Sequence, residues 1–560
     1  MYKKPVWYGI MIGIVCFFSL FIISASAYDY TGNPIVIQQI TSTDYSPEIC
    51  DKNPSIKNDM GMNQLWDLGW DGSGVRIGII DTGIDSENPY FDGDQNLDTI
   101  EDYRVVDHYN FVGETQVTNG HGSEIAGLLI STHAQVNNFE FSGLVEGAKL
   151  IDFQALDREG YGTTTTIIAA LQQAIDLNQD GNPNNDLDII NLSFGMIGND
   201  PAIEAKVIEA WNTGIVVVCA GGNEGMDDYG NTVLFSVNSP GSALEPISVG
   251  AMYDETQIPK FSSIGPVPYT YLVKPEVVAP GTYLITVGLH SNFYNISGTS
   301  YSAPIVAGGI ALVLDGLNRN GYAKPTPDQI KSALIESATS LGYNEYIQGA
   351  GVPDFKLMYD ILVAEQPRFT LLPKYLEFPN YFDWEREEIG HFSAEDTIAN
   401  VGSVAFPYYK VTGILTNDMT TPIAMEIIGD IGSVIQIIND TTIQNAGQYV
   451  VGVDFIQSTN PFQTTYTGSI LFKYDNMIIA ELQIIVFTSF WGNIQELFAT
   501  WYGEFLMIFT PIGTIFLCGF VSKKGKKKIN NPILDRCPPD AECVYDPVAM
   551  KFKIIKSTDI

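Results

Sequence analysis

The chain has 560 residues, long enough for more than one domain, and its composition of 45% apolar and 17% charged residues argues against a disordered protein. Its 65 acidic residues outnumber its 29 basic residues, which gives a net charge of −36. A surface this acidic repels the phosphates of nucleic acids, so we expect no nucleic-acid partner.

Residues 1–27 have the pattern of a secretory signal peptide. Lys3 and Lys4 precede a mostly apolar stretch over residues 6–23, and the small residues ASA at 25–27 fit a cleavage site. Because the apolar stretch is long, an uncleaved membrane anchor is the alternative. Residues 28–60 are then expected to form an N-terminal extension.

Residues 61–365 alternate short apolar runs with helical patterns. The runs at 75–80, 150–153, 188–192 and 215–219 are typical of buried parallel strands joined by crossover helices. The letters PTPDQ at 325–329 predict a helix start, with a capping box between the first Thr and the Gln. The sequence therefore predicts an α/β domain with a parallel sheet.

Residues 366–490 have a different sequence pattern, in which strand-like segments are separated by clusters of turn-forming residues. Tyr449, Val451, Val453 and Phe455 recur with a period of two. About 120 residues of this kind suit an all-β sandwich domain of the immunoglobulin-like or fibronectin-III-like type. Because this segment shows no catalytic constellation, we expect an adhesive or spacer role.

The C-terminal part predicts a single membrane crossing. Residues 505–521 contain no charge, and five lysines follow within residues 523–528, which is typical of a stop-transfer segment and not of a buried core helix. We expect a juxtamembrane segment at 491–500, a transmembrane helix at 501–521 and a cytoplasmic tail at 522–560. The body of the chain would then lie outside the cell.

Three segments of the α/β region carry the residue types of a hydrolase. The letters IGIIDTG at 77–83 end an apolar strand in Asp81, HGSEIAG at 121–127 open a helix with His121, and SGTSYSAP at 297–304 place Ser300 at the start of an apolar helix. Amide hydrolysis needs a nucleophile, a base and a carboxylate that orients the base. A serine at a helix N-terminus also has backbone N–H groups directed at a developing oxyanion. Each motif alone is more often structural.

Together, in the order Asp, His, Ser, the three segments resemble the subtilisin-like serine proteases, or subtilases. The resemblance covers roughly residues 61–365 and includes QLWDLGWDGSGV at 64–75, GAKL at 147–150 and KPEVVAPG at 274–281. It implies a subtilisin-like three-layer α/β fold and a serine endopeptidase. It also implies that Asp81, His121 and Ser300 form a catalytic triad that needs no cofactor.

The resemblance implies further roles around the triad. The letters VVVCAGGNEG at 216–225 are similar to the family's oxyanion segment, which would place the Asn223 amide beside the backbone N–H of Ser300. The letters NLSFG at 191–195 are similar to the strand that pairs with substrate. The implied walls of the S1 pocket are Ser193, Phe194 and Gly195 on one side and Ala220, Gly221 and Gly222 on the other. Such pairing suits extended or unfolded polypeptides, with an apolar bias.

The sequence departs from the family pattern at three places. Ser123 and Glu124 follow the glycine after the His, where the family usually has Thr and His, and Glu124 is expected to alter the electrostatics beside His121. Tyr301 follows the nucleophile, where Met is common. The segment that precedes the Asp81 strand is short for the inhibitory prodomain that many subtilases carry, which puts the usual self-processing in doubt.

The letters DLNQDGN at 176–182 resemble the first half of a calcium loop. Oxygen-bearing side chains stand at every second position, on Asp176, Asn178, Asp180 and Asn182, but the acidic twelfth residue of such a loop is replaced by Leu187. We expect a structural Ca²⁺ here, and a solvated acidic turn is the alternative.

Two functions follow from the sequence. The first is a single-pass cell-membrane protease that cleaves extracellular or surface proteins. The alternative is a catalytically weak or inactive pseudoprotease that acts as a surface binding or scaffold protein. The complete set of triad residues together with Asn223 favours the enzyme.

Overall fold

The structure is a computed structural model. It describes residues 22–24, 52–56, 60–92, 103–136, 139–227, 230–253, 257–268, 270–364, 368–378, 408–438, 442–455, 465–475, 477–487, 541–546 and 551–556. The chain divides into two compact units, Met1–Asn493 and Ile494–Ile560.

The helices of the described residues all lie in the first unit. They are α1 (Met62–Asp67), α2 (His121–Ile130), α3 (Thr164–Leu177), α4 (Pro201–Asn212), α5 (Thr299–Arg319), α6 (Pro327–Ser337), α7 (Glu345–Gln348) and α8 (Phe355–Val363). Short 3₁₀ turns are found at Pro89–Phe91, Leu289–Ser291 and Asp430–Ser433.

The strands of the α/β region are β1 (Ile22–Ser24), β2 (Arg76–Asp81), β3 (Val105–Asn110), β4 (Ala134–Val136), β5 (Phe139–Phe141), β6 (Lys149–Gln154), β7 (Tyr161–Gly162), β8 (Ile189–Leu192), β9 (Phe194–Gly195), β10 (Val216–Ala220), β11 (Ile247–Met252), β12 (Val277–Pro280), β13 (Leu284–Val287) and β14 (Phe293–Ile296). Later in the first unit come β15 (Phe369–Leu372), β16 (Tyr375–Phe378), β17 (Tyr408–Leu415), β18 (Ala424–Gly429), β19 (Ile435–Ile438), β20 (Gly447–Phe455), β21 (Thr465–Tyr474) and β22 (Met477–Phe487).

A seven-stranded parallel sheet forms the centre of the α/β region, in the order β12-β11-β10-β8-β2-β6-β3. Every residue of β8, β10, β11 and β12 is buried, which explains why these strands are almost continuously apolar in sequence. The predicted parallel sheet is confirmed, and the four predicted runs lie within two residues of observed strands.

Helix α5 is buried in the core and packs on β8, β10, β11 and β12. Among the described residues it is the one helix long and apolar enough to cross a membrane by length and composition, and its apolar window is wholly buried. The predicted transmembrane and juxtamembrane segments at 501–521 and 491–500 lie outside the described residues.

Helix α6 begins with the predicted capping box. The Thr326 hydroxyl accepts a hydrogen bond from the backbone N–H of Gln329, and the Gln329 side chain accepts one from the backbone N–H of Thr326. The helix ends at Ser337, because Ala338 is already extended.

Two four-stranded sheets follow the helices, in the orders β15-β17-β20-β19 and β16-β22-β21-β18. Of the residues that recur with a period of two in β20, Val451 and Val453 are fully buried, whereas Tyr449 is half-buried. Phe369 of the first sheet contacts Phe472 of the second, with ring centroids 5.0 Å apart. All pairs are antiparallel except β16 and β22, which run parallel. The chain passes from the first sheet to the second directly after β15.

The first of these sheets rests on helix α6. The hydroxyls of Ser332 on α6 and Thr370 on β15 are 2.6 Å apart, and Arg368 forms an ion pair with Glu336 at 2.7 Å. The later sheets and the α/β region therefore share a contact surface within the first unit.

The predicted terminal segments are described only in part. Of the predicted signal peptide only β1 is described, and of the extension 28–60 only residues 52–56 and 60. In the second unit, β23 (Ala541–Asp546) and β24 (Lys551–Lys556) pair antiparallel within the predicted tail.

Candidate active site

Asp81 stands at the C-terminal end of β2, where the apolar strand leaves the core. Its carboxylate is fully buried. One oxygen, Oδ1, accepts hydrogen bonds from the backbone N–H of Thr82 at 2.7 Å and from Nδ1 of His121 at 2.8 Å. This bond fixes the imidazole with its proton on Nδ1, so that Nε2 faces away as the basic nitrogen.

His121 is the first residue of α2, and a close approach of backbones brings it to Asp81. A Cβ atom on Gly122 would lie 2.5 Å from the carbonyl oxygen of Gly83, so only glycine allows α2 to approach the end of β2 this closely. The backbone N–H of Gly122 donates to the Thr82 hydroxyl at 3.1 Å, and that of His121 to the Asn119 side chain at 3.0 Å.

The environment of His121 favours its protonated form. Burial lowers the pKa of His121, but the charge of Asp81, the hydrogen bond to Asp81 and the charge of Glu124 raise it by more, so the net pKa lies above the usual imidazole value. Nε2 is buried and has no hydrogen-bond partner among the described residues. This nitrogen is thus suited to accept a proton from a neighbouring group.

Ser300 lies in the first turn of α5 and is fully buried. The helix is preceded by Gly298, whose φ of +148° is rare for residues with a side chain. The carbonyl oxygen of Ser300 accepts a hydrogen bond from the Ser193 hydroxyl at 2.6 Å, which ties the first turn of α5 to the segment between β8 and β9. The next residue, Tyr301, has its ring centroid 5.5 Å from that of His121.

Asn223 is held against the same turn of α5. Its Oδ1 atom accepts hydrogen bonds from both the backbone N–H and the hydroxyl of Thr299, each at 3.0 Å. The Thr299 hydroxyl in turn accepts from the backbone N–H of Gly222 at 3.1 Å. Because Oδ1 is engaged, the group that Asn223 can offer to a substrate is its Nδ2 donor.

The predicted pocket segments lie at the ends of β8 and β10. Phe194 is fully buried, and its backbone pairs with that of Ser24 on β1. The two glycines 221 and 222 are also buried, and the backbone N–H of Gly221 donates to the carbonyl of Val249 at 2.8 Å. Ala220 ends β10 directly before them.

Strand β1 lies between β7 and β9 and is antiparallel to both. Ile23 pairs with Tyr161 on one side and with Gly195 on the other, and Ser24 pairs with Phe194. The backbone edges of β7 and β9 therefore form a groove that holds an extended segment.

The predicted calcium loop uses its oxygen atoms within the protein. The Asn178 side chain exchanges two hydrogen bonds with the backbone of Leu187, at 2.9 and 2.7 Å, and Asp180 accepts two hydrogen bonds from its own loop. Asp176 and Asn182 also accept hydrogen bonds from residues nearby in sequence. Among the described residues no group of three or more His, Cys, Asp or Glu side chains is placed to hold a metal. The geometry fits a hydrogen-bonded turn, and calcium binding here stays a prediction.

Three contacts of the site do not follow from the sequence. Thr299 anchors Asn223, Ser193 anchors the turn of Ser300, and the Tyr301 hydroxyl donates to Oε2 of Glu124 at 2.6 Å. The sequence gives one indication of the last contact, because Glu124 and Tyr301 both depart from the family pattern.

Comparison with known proteins identifies relatives of this chain. The sequence model of the subtilase family matches residues 72–352. Subtilisin DY of Bacillus licheniformis is 31% identical over 296 residues, which cover 52% of this chain and 92% of that protein.

Two larger proteins are also similar. Subtilisin-like protease SBT6.1 of Arabidopsis thaliana is 29% identical over 361 residues, or 62% of this chain, and the membrane-bound transcription factor site-1 protease of Mus musculus is 30% identical over 352 residues, or 60% of this chain. The match spans only 31% and 30% of those two proteins. Since the family match covers half of the chain and the fold carries the parallel sheet described above, the chain belongs to the subtilase family of serine peptidases.

Proposed function

We propose that the chain is a serine endopeptidase that hydrolyses peptide bonds of extracellular or surface proteins, with Asp81, His121 and Ser300 as its triad. Its family supports serine peptidase activity. The observation that carries the proposal is the 2.8 Å contact between Asp81 Oδ1 and His121 Nδ1, since it leaves the buried Nε2 atom available as a base.

The proposed reaction proceeds through an acyl-enzyme. Nε2 of His121 takes the proton of the Ser300 hydroxyl as its oxygen attacks the scissile carbonyl, and Asp81 stabilises the imidazolium that forms. Nδ2 of Asn223 donates to the oxyanion of the tetrahedral intermediate. His121 then delivers the proton to the leaving amine. In the second half of the reaction, His121 takes a proton from a water molecule that attacks the acyl carbonyl, and it then returns this proton to the Ser300 oxygen as the acyl group leaves.

The groove between β7 and β9 supports a substrate in the extended conformation. Because β1 pairs with both edges, a substrate strand can use the same backbone groups of Tyr161, Gly162, Phe194 and Gly195. Main-chain hydrogen bonds supply most of the binding in this mode, which suits many different unfolded sequences.

Hydrolysis of an extended peptide by the purified full-length chain tests the proposal. We expect cleavage inside an apolar peptide of about ten residues, detected as two internal fragments by mass spectrometry. A matched peptide with methylated backbone nitrogens upstream of the cleaved bond should be a poor substrate, because it cannot pair with the groove. Release of terminal residues only, or no cleavage of either peptide, would contradict the proposal.

We further propose that the protease is anchored in the cell membrane by residues 501–521, with the tail 522–560 in the cytoplasm. The uncharged stretch and its five lysines support this orientation. The later β-sheets, within residues 366–490, then separate the α/β region from the membrane as a spacer.

The orientation predicts which cysteines an impermeant thiol reagent reaches. On intact cells we expect Cys537 and Cys543 to be protected and to react only after the membrane is permeabilised. Added protease should degrade the body of the chain under the same conditions. Reaction of both cysteines before permeabilisation would place the tail outside the cell.

A further inference from the structure

A second acidic side chain lies beside the proposed base. Glu124 follows His121 by three positions in the first turn of α2, so the two side chains share one face of the helix. The Tyr301 hydroxyl donates to Oε2 of Glu124 at 2.6 Å, and Tyr301 directly follows Ser300 on α5. One hydrogen bond thus joins the helix that carries the base to the helix that carries the nucleophile.

The pair is confined by its surroundings. Tyr301 is fully buried, and its ring lies 5.5 Å from that of His121, between centroids. A Cβ atom on Gly288, just after β13, would lie 2.9 Å from Cγ of Glu124, so the protein closes around this side chain. The backbone carbonyl of Glu124 also accepts a hydrogen bond from the Thr286 hydroxyl at 2.7 Å, which holds the first turn of α2 against β13.

We propose that Glu124, held by the Tyr301 hydroxyl, is a positioning residue that supplies a second negative charge beside His121 and fixes α2 against α5. This inference rests on the proposed function. In the proposed arrangement, Asp81 orients the imidazole through its hydrogen bond to Nδ1. Glu124 acts on the ring electrostatically, because its negative charge stabilises the imidazolium that forms when Ser300 loses its proton.

The influences on the charge of Glu124 oppose each other. Burial of this half-buried side chain and the charge of Asp81 raise the pKa of Glu124, while His121 and the Tyr301 hydroxyl lower it, and its net pKa lies above the usual carboxyl value. His121 and the Tyr301 hydroxyl are therefore the two groups that favour the charged form of Glu124. Glu124 in turn contributes to the raised pKa of His121. On the neighbouring turn, His290 faces Asp85. The Asp85 Oδ2 atom accepts a hydrogen bond from the backbone N–H of His290 and lies 3.9 Å from the His290 Nδ1 atom.

The pH dependence of kcat/KM tests the pair. His121 must be neutral to act as a base, so kcat/KM falls as the pH drops through the pKa of His121. In E124Q the amide still accepts from Tyr301 but carries no charge. The pKa of His121 should therefore fall, and the acid limb of the profile should move to lower pH. We also expect the plateau value of kcat/KM to fall about 3- to 30-fold.

Two further variants separate charge from packing. In Y301F the aromatic ring stays against His121, but the hydroxyl that donates to Glu124 is lost. Glu124 is then neutral over more of the acid pH range. The acid limb of the kcat/KM profile should therefore move to lower pH, by less than in E124Q. Because Glu124 and Tyr301 are in contact, the effects of Y301F and E124Q should not add in the double variant. E209Q, on the exposed surface of α4, is the matched control and should leave the profile unchanged.

The titration of His121 itself separates this inference from the proposed function. The chain has five histidines, so full-length protein labelled at the histidine rings gives few NMR signals, and H121A identifies the relevant one. We expect the His121 titration to move to lower pH in E124Q even if the chain hydrolysed no peptide. An unchanged His121 titration in both E124Q and Y301F, with wild-type melting curves, would overturn the inference while leaving the protease assignment intact.

Discussion

Replacing His121 by alanine is expected to lower kcat by roughly 10⁶-fold, about as much as replacing Ser300 or replacing both together. This magnitude is that of the corresponding changes in subtilisin itself, and we adopt it for this chain. The expected non-additivity follows from the proposed mechanism, in which the Ser300 hydroxyl is a weak nucleophile unless His121 removes its proton. A residual rate of about 10³–10⁴ over water should remain from binding and from the oxyanion donors.

The measurement is kcat for H121A, S300A and the double variant against the peptide that the wild type cleaves. His108 offers a matched control, because its Nδ1 atom also contacts a buried aspartate, Asp152, at 2.7 Å. H108A should keep kcat within a few-fold of the wild type. Losses that multiply in the double variant, or a loss in H108A as large as in H121A, would contradict the triad.

Replacing Asn223 by alanine is expected to lower kcat by about 10²–10³-fold with little change in KM. The range is the one known for the oxyanion asparagine of subtilisin and is borrowed from it. The physical reason is that, in the proposed mechanism, Nδ2 of Asn223 donates to a charge that exists only in the tetrahedral intermediate. Because Thr299 holds Oδ1 with two hydrogen bonds of 3.0 Å, the donor is oriented before substrate binds.

N223D is the companion variant. The aspartate keeps oxygen acceptors for Thr299 but replaces the donor by an acceptor, so its kcat should fall at least as far as that of N223A. Separate values of kcat and KM for both variants check the role. A rise in KM at constant kcat in N223A would mean that Asn223 contacts the ground-state substrate instead.

The sequence predicts the elements that depend on local patterns. Buried parallel strands are rich in apolar residues, so β2, β6, β8 and β10 are recognisable without a structure. The start of α6 follows from its capping box, because both of its hydrogen bonds join residues three apart.

Contacts between distant residues are not predictable in this way. The Tyr301–Glu124 hydrogen bond joins residues 177 positions apart, and the bond from Ser193 to Ser300 spans 107 positions. The parallel pairing of β16 with β22 depends on where the chain changes sheet, which no local pattern reveals. In the loop at 176–182, the spacing indicates a calcium site, but the Asn178 amide bonds to the backbone of Leu187, a partner that the spacing does not show.

The most direct test of the account is covalent labelling of the purified full-length chain with a fluorophosphonate probe, which reacts only with an activated serine. We predict labelling of the wild type and of H108A at Ser300, identified by peptide mass mapping, and no labelling of S300A or H121A. A folded wild-type chain that binds extended peptides but does not react would contradict the account and indicate a pseudoprotease, and labelling that persists in S300A would place the nucleophile elsewhere.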